Sequence, residues 1–436
     1  MATATAVLAP ILTPALDPRA GHATPQVRRF AMLAAPLALL LVTFKVYSLE
    51  QPAFFRLACL VFAGFAVSYW LPFRYKQTFT ILLSLAGAYL LLSPLTASLL
   101  IAVGLLIFAV VRTEKVSFNW RLAILAGILV ICMYGRLAKG HYPLDSFWPV
   151  LGAMFMFRMV IYLYDIKHQP GPAKLTDYLS YFFLLPNYYF LLFPVVDFQT
   201  FRRSFFQRNI HAVAQQGVWW IFRGTTHLLL YRLIYQAQGR FTPVSMPVAM
   251  AVALKIISCY LLYLRISGQF HIIAGMLCLF GYDMPETNHR YLLAHSVNDI
   301  WRRMNIYWKD FMMKIVYLPA YFKLRRGGAL RAELLSTALV VVTTYFLHAY
   351  QFFWIRGLFR LSVSDALFWS ILGAAMLANV AIEFRHRQQA SRPGPITWLR
   401  NAIQIVATFA FMAMLWSMWS ADSLGEWFSF LRTGNI

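Results

Sequence analysis

Acidic residues are scarce in this chain. Its 436 residues include 16 Asp and Glu against 39 Lys and Arg, for a formal net charge of +23. Charged residues of both signs make up only 13%, whereas hydrophobic residues make up 60%. A soluble protein of this size needs a far more polar surface. The composition therefore excludes an ordinary soluble protein, and its positive charge is typical of the cytoplasmic loops of membrane proteins rather than of a nucleic-acid-binding surface.

Cysteines and glycosylation signals are scarce as well. The four cysteines all lie in apolar segments without paired spacing, so that neither a disulfide framework nor a metal site is expected. The sequon Asn-x-Ser/Thr does not occur, which favours a bacterial source. Residues 1–27 show no cleavable signal peptide, and we expect them to form a disordered cytoplasmic N-terminus.

Long apolar runs, in contrast, recur along the whole chain. Runs of about 20 apolar residues are long enough to cross a bilayer as helices, and the alternating pattern of a membrane β-barrel is missing. We predict an all-α, polytopic integral membrane bundle with about eleven spans. These spans are residues 30–49, 54–72, 78–93, 95–111, 121–135, 146–164, 217–235, 243–264, 335–353, 365–384 and 398–420.

Two further apolar segments are interrupted. Residues 178–198 contain Pro186 and Pro194, and residues 267–283 are short and bracketed by glycine. If each segment enters the membrane and returns, most basic loops and the N-terminus fall on the cytoplasmic side. Broken helices at membrane depth occur only where protein buries them or where they line a wet cavity. We therefore expect two re-entrant segments around a central cavity, within one domain of residues 28–436.

Histidines inside the apolar segments are candidates for function, because an ionisable group in a membrane costs free energy. His348 lies in "VVVTTYFLHAYQFFW", which is otherwise free of charge, and both a structural and a chemical role stay open for it. His227 and His271 lie in other apolar segments. For these two, a hydrogen-bonded structural histidine is the more common explanation.

The stretch "HSVNDIWRRMNIYWKDF", residues 295–311, is dense in charged and aromatic residues. As a single helix it carries one apolar stripe, with Asn305 at its border and Asp299 at pairing distance from Arg303. An amphipathic interfacial helix with tryptophan anchors and snorkelling arginines explains the same pattern. The stripe comprises Trp301, Met304, Trp308, Phe311, Met312 and Ile315.

Two motifs carry a resemblance to a known family. "FGYDMPETN" followed by "SVNDIWRRMN", within residues 267–319, and "TTYFLHAYQFFWIRG", residues 343–357, are similar to the motifs of membrane-bound O-acyltransferases. The closest likeness is to the bacterial alginate O-acetyltransferase type. The part of the chain that carries the family's motifs is about residues 178–357. The N-terminal segments resemble the family only in that they, too, are predicted to span the membrane. Two positions depart from the family's pattern. Asp197-Phe198 stands where the family often has Gly-Pro, and Met304 stands where the family often has Trp.

The resemblance implies a function and a set of site residues. His348 matches the family's catalytic histidine. Asn305 matches its second catalytic position, which is His in many polysaccharide-acetylating members and Asn in many lipid-acylating ones. The supporting motif matches at Trp301, Arg302, Arg303 and Asp299. Acyl-CoA is a polyphosphate, so we expect a basic cytoplasmic mouth, although positive-inside anchoring explains the same charges. Candidates for its phosphate contacts are Lys309, Lys314, Arg325 and Arg326.

The leading hypothesis is transfer of an acyl group, expected to be acetyl, from cytoplasmic acyl-CoA to a hydroxyl of a cell-surface polysaccharide. A histidine base and an oxyanion donor suit this chemistry. The expected setting is a bacterial inner membrane, with membrane lipids and a periplasmic acetyltransferase as partners, acyl-CoA as co-substrate and no bound cofactor. A lipid or small-molecule alcohol stays open as acceptor. Alternatives from other classes are a transporter or flippase, although no paired repeat is visible, and a catalytically silent partner of a complex.

Overall fold

The structure is a computed structural model that describes residues 24–138, 146–168, 174–241, 244, 246–387 and 397–434. Helices make up 81% of it, and the described residues contain no strand beyond an isolated bridge between Phe205 and Tyr282. Most of the predicted disordered N-terminus, residues 1–23, lies outside the described residues. The prediction of an all-α polytopic membrane bundle is confirmed.

The helices follow one another in a single series, here numbered α1 to α19. The first ten are α1 (Val27–Val46), α2 (Pro52–Trp70), α3 (Phe73–Leu91), α4 (Pro94–Arg112), α5 (Phe118–Leu137), α6 (Phe147–Phe155), α7 (Arg158–His168), α8 (Leu175–Phe182), α9 (Phe198–Ser204) and α10 (Ile210–Gln238). The others are α11 (Val248–Leu261), α12 (Leu264–Leu279), α13 (Val297–Arg303), α14 (Ile306–Met312), α15 (Leu318–Leu324), α16 (Ala329–Arg356), α17 (Val363–Arg387), α18 (Thr397–Ser420) and α19 (Leu424–Thr433). A π-helical turn, Met313–Tyr317, joins α14 to α15.

Nine helical segments of the described chain are long and apolar enough to cross a membrane. The prediction of eleven spans differs at three places. The predicted spans 78–93 and 217–235 are the helices α3 and α10, but neither is among the nine. The segment Val248–Leu279 counts as one long span, because α12 follows α11 after a break of two residues.

Residues 178–198 double back inside the protein, and their re-entry into the membrane stays a prediction. The Tyr181 hydroxyl donates to the carbonyl oxygen of Val196 over 2.6 Å, so the two ends of the segment lie side by side. The guanidinium of Arg158, only 2% exposed, donates to the Tyr181 carbonyl over 2.6 Å. These two hydrogen bonds satisfy backbone carbonyl groups that have no hydrogen-bond partner within a helix and little access to water.

The second predicted re-entrant segment, residues 267–283, has a different structure. Most of it belongs to α12, a regular helix whose residues are almost all buried. Helix α12 lies antiparallel to α10, with Gly275 facing Gly217 and Gly268 facing Gly224. Small residues at these positions let the two backbones approach closely, which is a common way to pack helices in membranes. Protein contacts thus bury α12 as a regular helix, and the prediction of a broken segment at residues 267–283 is wrong for residues up to Leu279.

The region from α13 to α14 lies where two apolar cores meet. One core is formed mainly by residues of α1 to α10 and α12, together with residues of α14 and α16. The other is formed by residues of α11, α13, α16, α17, α18 and α19. Trp301 packs against both. The fold therefore carries residues 297–312 between two packed bodies, and this position creates the cavity described next.

Candidate active site

A cavity of about 130 Å³ lies between α13, α14, α16, α17 and α18. Asn305 and His348 both line it, although they lie on different helices far apart in the sequence. Most of its remaining wall is apolar or aromatic. The wall comprises Tyr263, Val297, Ile300, Trp301, Met304, Asn305, Trp308, Lys309, Thr344, His348, Phe368, Trp369, Leu372, Met376, Met412, Trp416 and Trp419.

Asn305 stands at a break in the backbone. The prediction of one helix through residues 295–311 is wrong, because α13 ends at Arg303 and α14 begins at Ile306. Asn305 has φ +46°, in the left-handed region, and its side-chain oxygen caps α14 by accepting the N–H of Trp308 over 3.4 Å. Asparagine enters this region more readily than most residues with a Cβ, and it is a favoured N-cap.

A neighbouring irregular segment, residues 287–289, stabilises this break through three hydrogen bonds of backbone N–H groups. The N–H of Asn305 donates to Oδ1 of Asn288 over 2.8 Å. The N–H of Ile306 donates to the carbonyl of Thr287 over 2.9 Å, and the N–H of His289 donates to the carbonyl of Arg303 over 2.8 Å. Residues 287–289 therefore run beside the break and hold it in place.

His348 lies within a group of tryptophans. Its ring centroid is 5.0 Å from that of Trp369 and 6.2 Å from those of Trp308 and Trp419. No described residue forms a hydrogen bond with the imidazole, and His348 is a half-buried residue of the cavity wall. Asp365 fixes one of these tryptophans by accepting the indole N–H of Trp419 over 2.6 Å.

The supporting motif stabilises the helix that precedes Asn305. Arg303 Nε lies 2.9 Å from Asp299 Oδ1, which confirms the predicted pairing, and the His295 backbone N–H donates to the same carboxylate over 3.0 Å. Burial raises the pKa of Asp299, but these hydrogen bonds outweigh it and hold the pKa below its ordinary value. Arg302 pairs with Glu383 of α17 at 2.5 Å, and Trp301 lines the cavity.

Only one of the four predicted phosphate contacts lies at the cavity. Lys309 lines it and also pairs with Asp310 at 2.8 Å. Lys314 instead lies between two carboxylates of the α7 and α9 region, 2.5 Å from Asp165 and 3.3 Å from Asp197. These ion pairs occupy its ammonium group. Arg325 and Arg326 lie on an exposed turn and are not part of the cavity wall.

His227 and His271 have hydrogen-bonded surroundings, as expected for structural histidines. Nδ1 of His271 lies 3.1 Å from the Thr287 hydroxyl, and Nδ1 of His227 lies 3.2 Å from the Ser267 hydroxyl. Neither histidine lines the cavity. His271 is completely buried, and its hydrogen-bond partner Thr287 lies beside the helix break at Asn305.

The sequence reasoning missed the aromatic wall of the cavity and Asn288. Trp416 and Trp419 lie three residues apart on α18, a spacing that places both on one helix face. The spacing alone does not show that this face of α18 lies against His348. Asn288 lies in the "PETN" turn, where its burial was not readable from the sequence.

No protein-family model and no curated protein matches this chain. Within the described residues, no group of three or more His, Cys, Asp and Glu side chains is arranged to hold a metal ion. The geometry of the chain's own residues is therefore what defines the candidate site.

Proposed function

We propose that this protein is a membrane-embedded O-acyltransferase, which moves an acyl group from a cytoplasmic thioester such as acyl-CoA to a hydroxyl. The observation that supports the proposal is the meeting of Asn305 and His348 in one cavity. These are the two positions at which the sequence resembles the catalytic residues of membrane-bound O-acyltransferases. One of these residues lies in a helix break and the other in a long apolar helix, and only the packing of the helices brings them to one cavity.

The chemistry divides between the two residues. His348 takes the proton of the acceptor hydroxyl, and the resulting oxygen attacks the thioester carbonyl. The C–S bond then breaks, an ester forms, and the proton passes to the leaving thiolate to give the free thiol. Asn305 stabilises the negative oxygen of the tetrahedral intermediate or holds the acceptor. Lys309 lines the cavity and pairs only with the exposed carboxylate of Asp310 among the described residues, so we assign its ammonium group to the binding of an anionic donor.

The acceptor has two candidates. A cell-surface polysaccharide, acetylated directly or through a periplasmic partner from a bacterial inner membrane, follows from the resemblance to the alginate-acetylating type. A lipid or small-molecule alcohol is favoured by one specific observation, the mostly apolar wall of the cavity, because such a wall offers few hydrogen bonds to a sugar. The same wall suits an acyl chain longer than acetyl.

The decisive experiment measures label transfer by purified protein in lipid vesicles. Wild type and His348→Ala receive radiolabelled acetyl-CoA or palmitoyl-CoA, together with extracted glycans or lipids. We expect covalent label transfer by wild type and its loss in His348→Ala, whereas the control His168→Ala, on an exposed helix end, keeps it. Equal transfer by wild type and His348→Ala would overturn the role of His348. Substrate flux without any labelled product, unchanged in His348→Gln, would instead support a transporter.

A further inference from the structure

Asn288 is a fully buried polar residue directly behind the cavity wall. It has 0% exposed surface, and its Oδ1 accepts two hydrogen bonds. One comes from the backbone N–H of Asn305 over 2.8 Å, and the other from the Tyr263 hydroxyl over 3.2 Å. Both donors belong to residues that line the cavity. A single amide oxygen therefore touches two parts of the candidate site.

The orientation of this amide follows from the chemistry of its partners. A backbone N–H is only a donor, so the atom that faces Asn305 must be the amide oxygen rather than the nitrogen. The amide nitrogen donates to the Thr287 hydroxyl over 3.4 Å, and the Asn288 carbonyl accepts from Arg223 over 3.3 Å. Thr287 in turn contacts His271 over 3.1 Å. Hydrogen bonds thus fix both the side-chain amide and the backbone carbonyl of Asn288.

We propose that Asn288 is a positioning residue for the transferase reaction, and this inference rests on the proposed function. It holds the left-handed backbone of Asn305 and the Tyr263 hydroxyl in the orientation that the reaction requires. The left-handed conformation of Asn305 is less favourable than the right-handed one even for asparagine, so a contact from outside the residue stabilises it. The hydrogen bond to Asn288 supplies that contact from a rigid, buried site.

The expected kinetic effect follows from the role of Asn305. A displacement of about 1 Å at a reacting centre costs about a hundredfold in rate. Asn288→Ala removes the acceptor of the Asn305 N–H, and it should lower kcat about ten- to a hundredfold while the KM for the acyl donor changes little. Asn288→Asp keeps an acceptor oxygen in either protonation state. It should restore most of kcat relative to Asn288→Ala.

Hydrogen exchange tests the positioning role without any assay of activity. The Asn305 amide should exchange at least about tenfold faster in Asn288→Ala than in wild type and Asn288→Asp, because its acceptor is lost. The matched control is Asn298→Ala, which removes another buried asparagine of the same region whose Oδ1 has no partner among the described residues. If Asn288→Ala does not fold, Asn288→Ser, whose shorter side chain withdraws the acceptor, takes its place.

The outcomes separate this inference from the proposed function. Unchanged exchange at Asn305 in Asn288→Ala, or an equal rise in Asn298→Ala, would overturn the positioning role. So would an equal loss of kcat in Asn288→Asp and Asn288→Ala. If wild type transfers no acyl group while exchange at Asn305 rises as expected, the proposed function fails, and Asn288 retains only its structural hold on Asn305.

Discussion

Gly224 and Gly268 face each other across the α10–α12 interface so closely that a Cβ on Gly224 would lie 2.5 Å from the carbonyl oxygen of Gly268. The same closeness recurs at Gly217, where a Cβ would lie 2.8 Å from the carbonyl oxygen of Gly275. In both cases the obstacle is backbone, which cannot rotate away as a side chain can. Helix α12 carries the chain toward the "PETN" turn, so this interface also sets where Asn288 lies.

We expect Gly224→Ala to destabilise the protein by about 1–3 kcal/mol, the usual cost of overpacking a tight interface. Gly127→Ala on α5 is the matched control, because a Cβ there has no atom within 4 Å. That change should be neutral or stabilising, since alanine favours a helix over glycine by about 1 kcal/mol. Thermal unfolding in detergent measures both. If Gly127→Ala unfolded at a lower temperature than Gly224→Ala, the close packing of α10 against α12 would be contradicted.

Substitutions at Asn305 separate its backbone role from its chemistry. Asn305→Gly keeps the left-handed conformation and, at an N-cap, should cost only a few tenths of a kcal/mol. Asn305→Ala loses the cap and places a Cβ in the left-handed region, for a cost of about 2 kcal/mol. Both variants lack the amide and should lose acyl transfer. Stability by thermal unfolding and transfer by label incorporation test this, and full transfer by folded Asn305→Gly would remove the side chain from the mechanism.

Lys314 is expected to be structural. Asp165 is only 3% exposed, so Lys314→Met leaves a buried carboxylate without its cation, which typically costs about 3–5 kcal/mol. Lys323→Met, at an exposed position of α15, should leave stability unchanged. Chemical denaturation of both variants provides the measurement. A stable Lys314→Met protein with a raised KM for acyl-CoA would restore the predicted phosphate contact.

The Asp299 carboxylate should make stability depend on acidic pH. Its pKa in the folded protein lies below its ordinary value of about 3.9, so the ionised group stabilises the fold above that value. This contribution is lost as the pH falls through the lower, folded pKa. Wild type should therefore lose stability more steeply below about pH 4 than Asp299→Asn, in unfolding scans from pH 6 to pH 3. Parallel curves for the two proteins would contradict the assignment.

The sequence predicted the helical membrane class because that property is additive along the chain. Each apolar run is long enough to span a bilayer on its own, so no knowledge of its neighbours is required. The pairing of Asp299 with Arg303 was likewise predictable, because both residues lie on one helix at a fixed spacing. The doubling back of residues 178–198 was indicated by Pro186 and Pro194, which interrupt a helix locally.

Local patterns could not reveal the break at Asn305. The apolar stripe of residues 295–311 fits a continuous helix, and the energy that breaks it comes from Thr287, Asn288 and His289, whose contacts form only in the folded chain. The partners of Lys314 are also distant in sequence, so a lysine held by two carboxylates could not be distinguished from a free cation.

By itself the sequence determined that this chain forms apolar helices, that His348 lies in one of them and that Asn305 borders an apolar face. Whether these two side chains share a cavity depended on how α13 and α14 pack between two apolar cores. Helix formation is a local property of hydrogen bonds and propensity, whereas a cavity is bounded by surfaces from several helices. Only the tertiary structure brings those surfaces together.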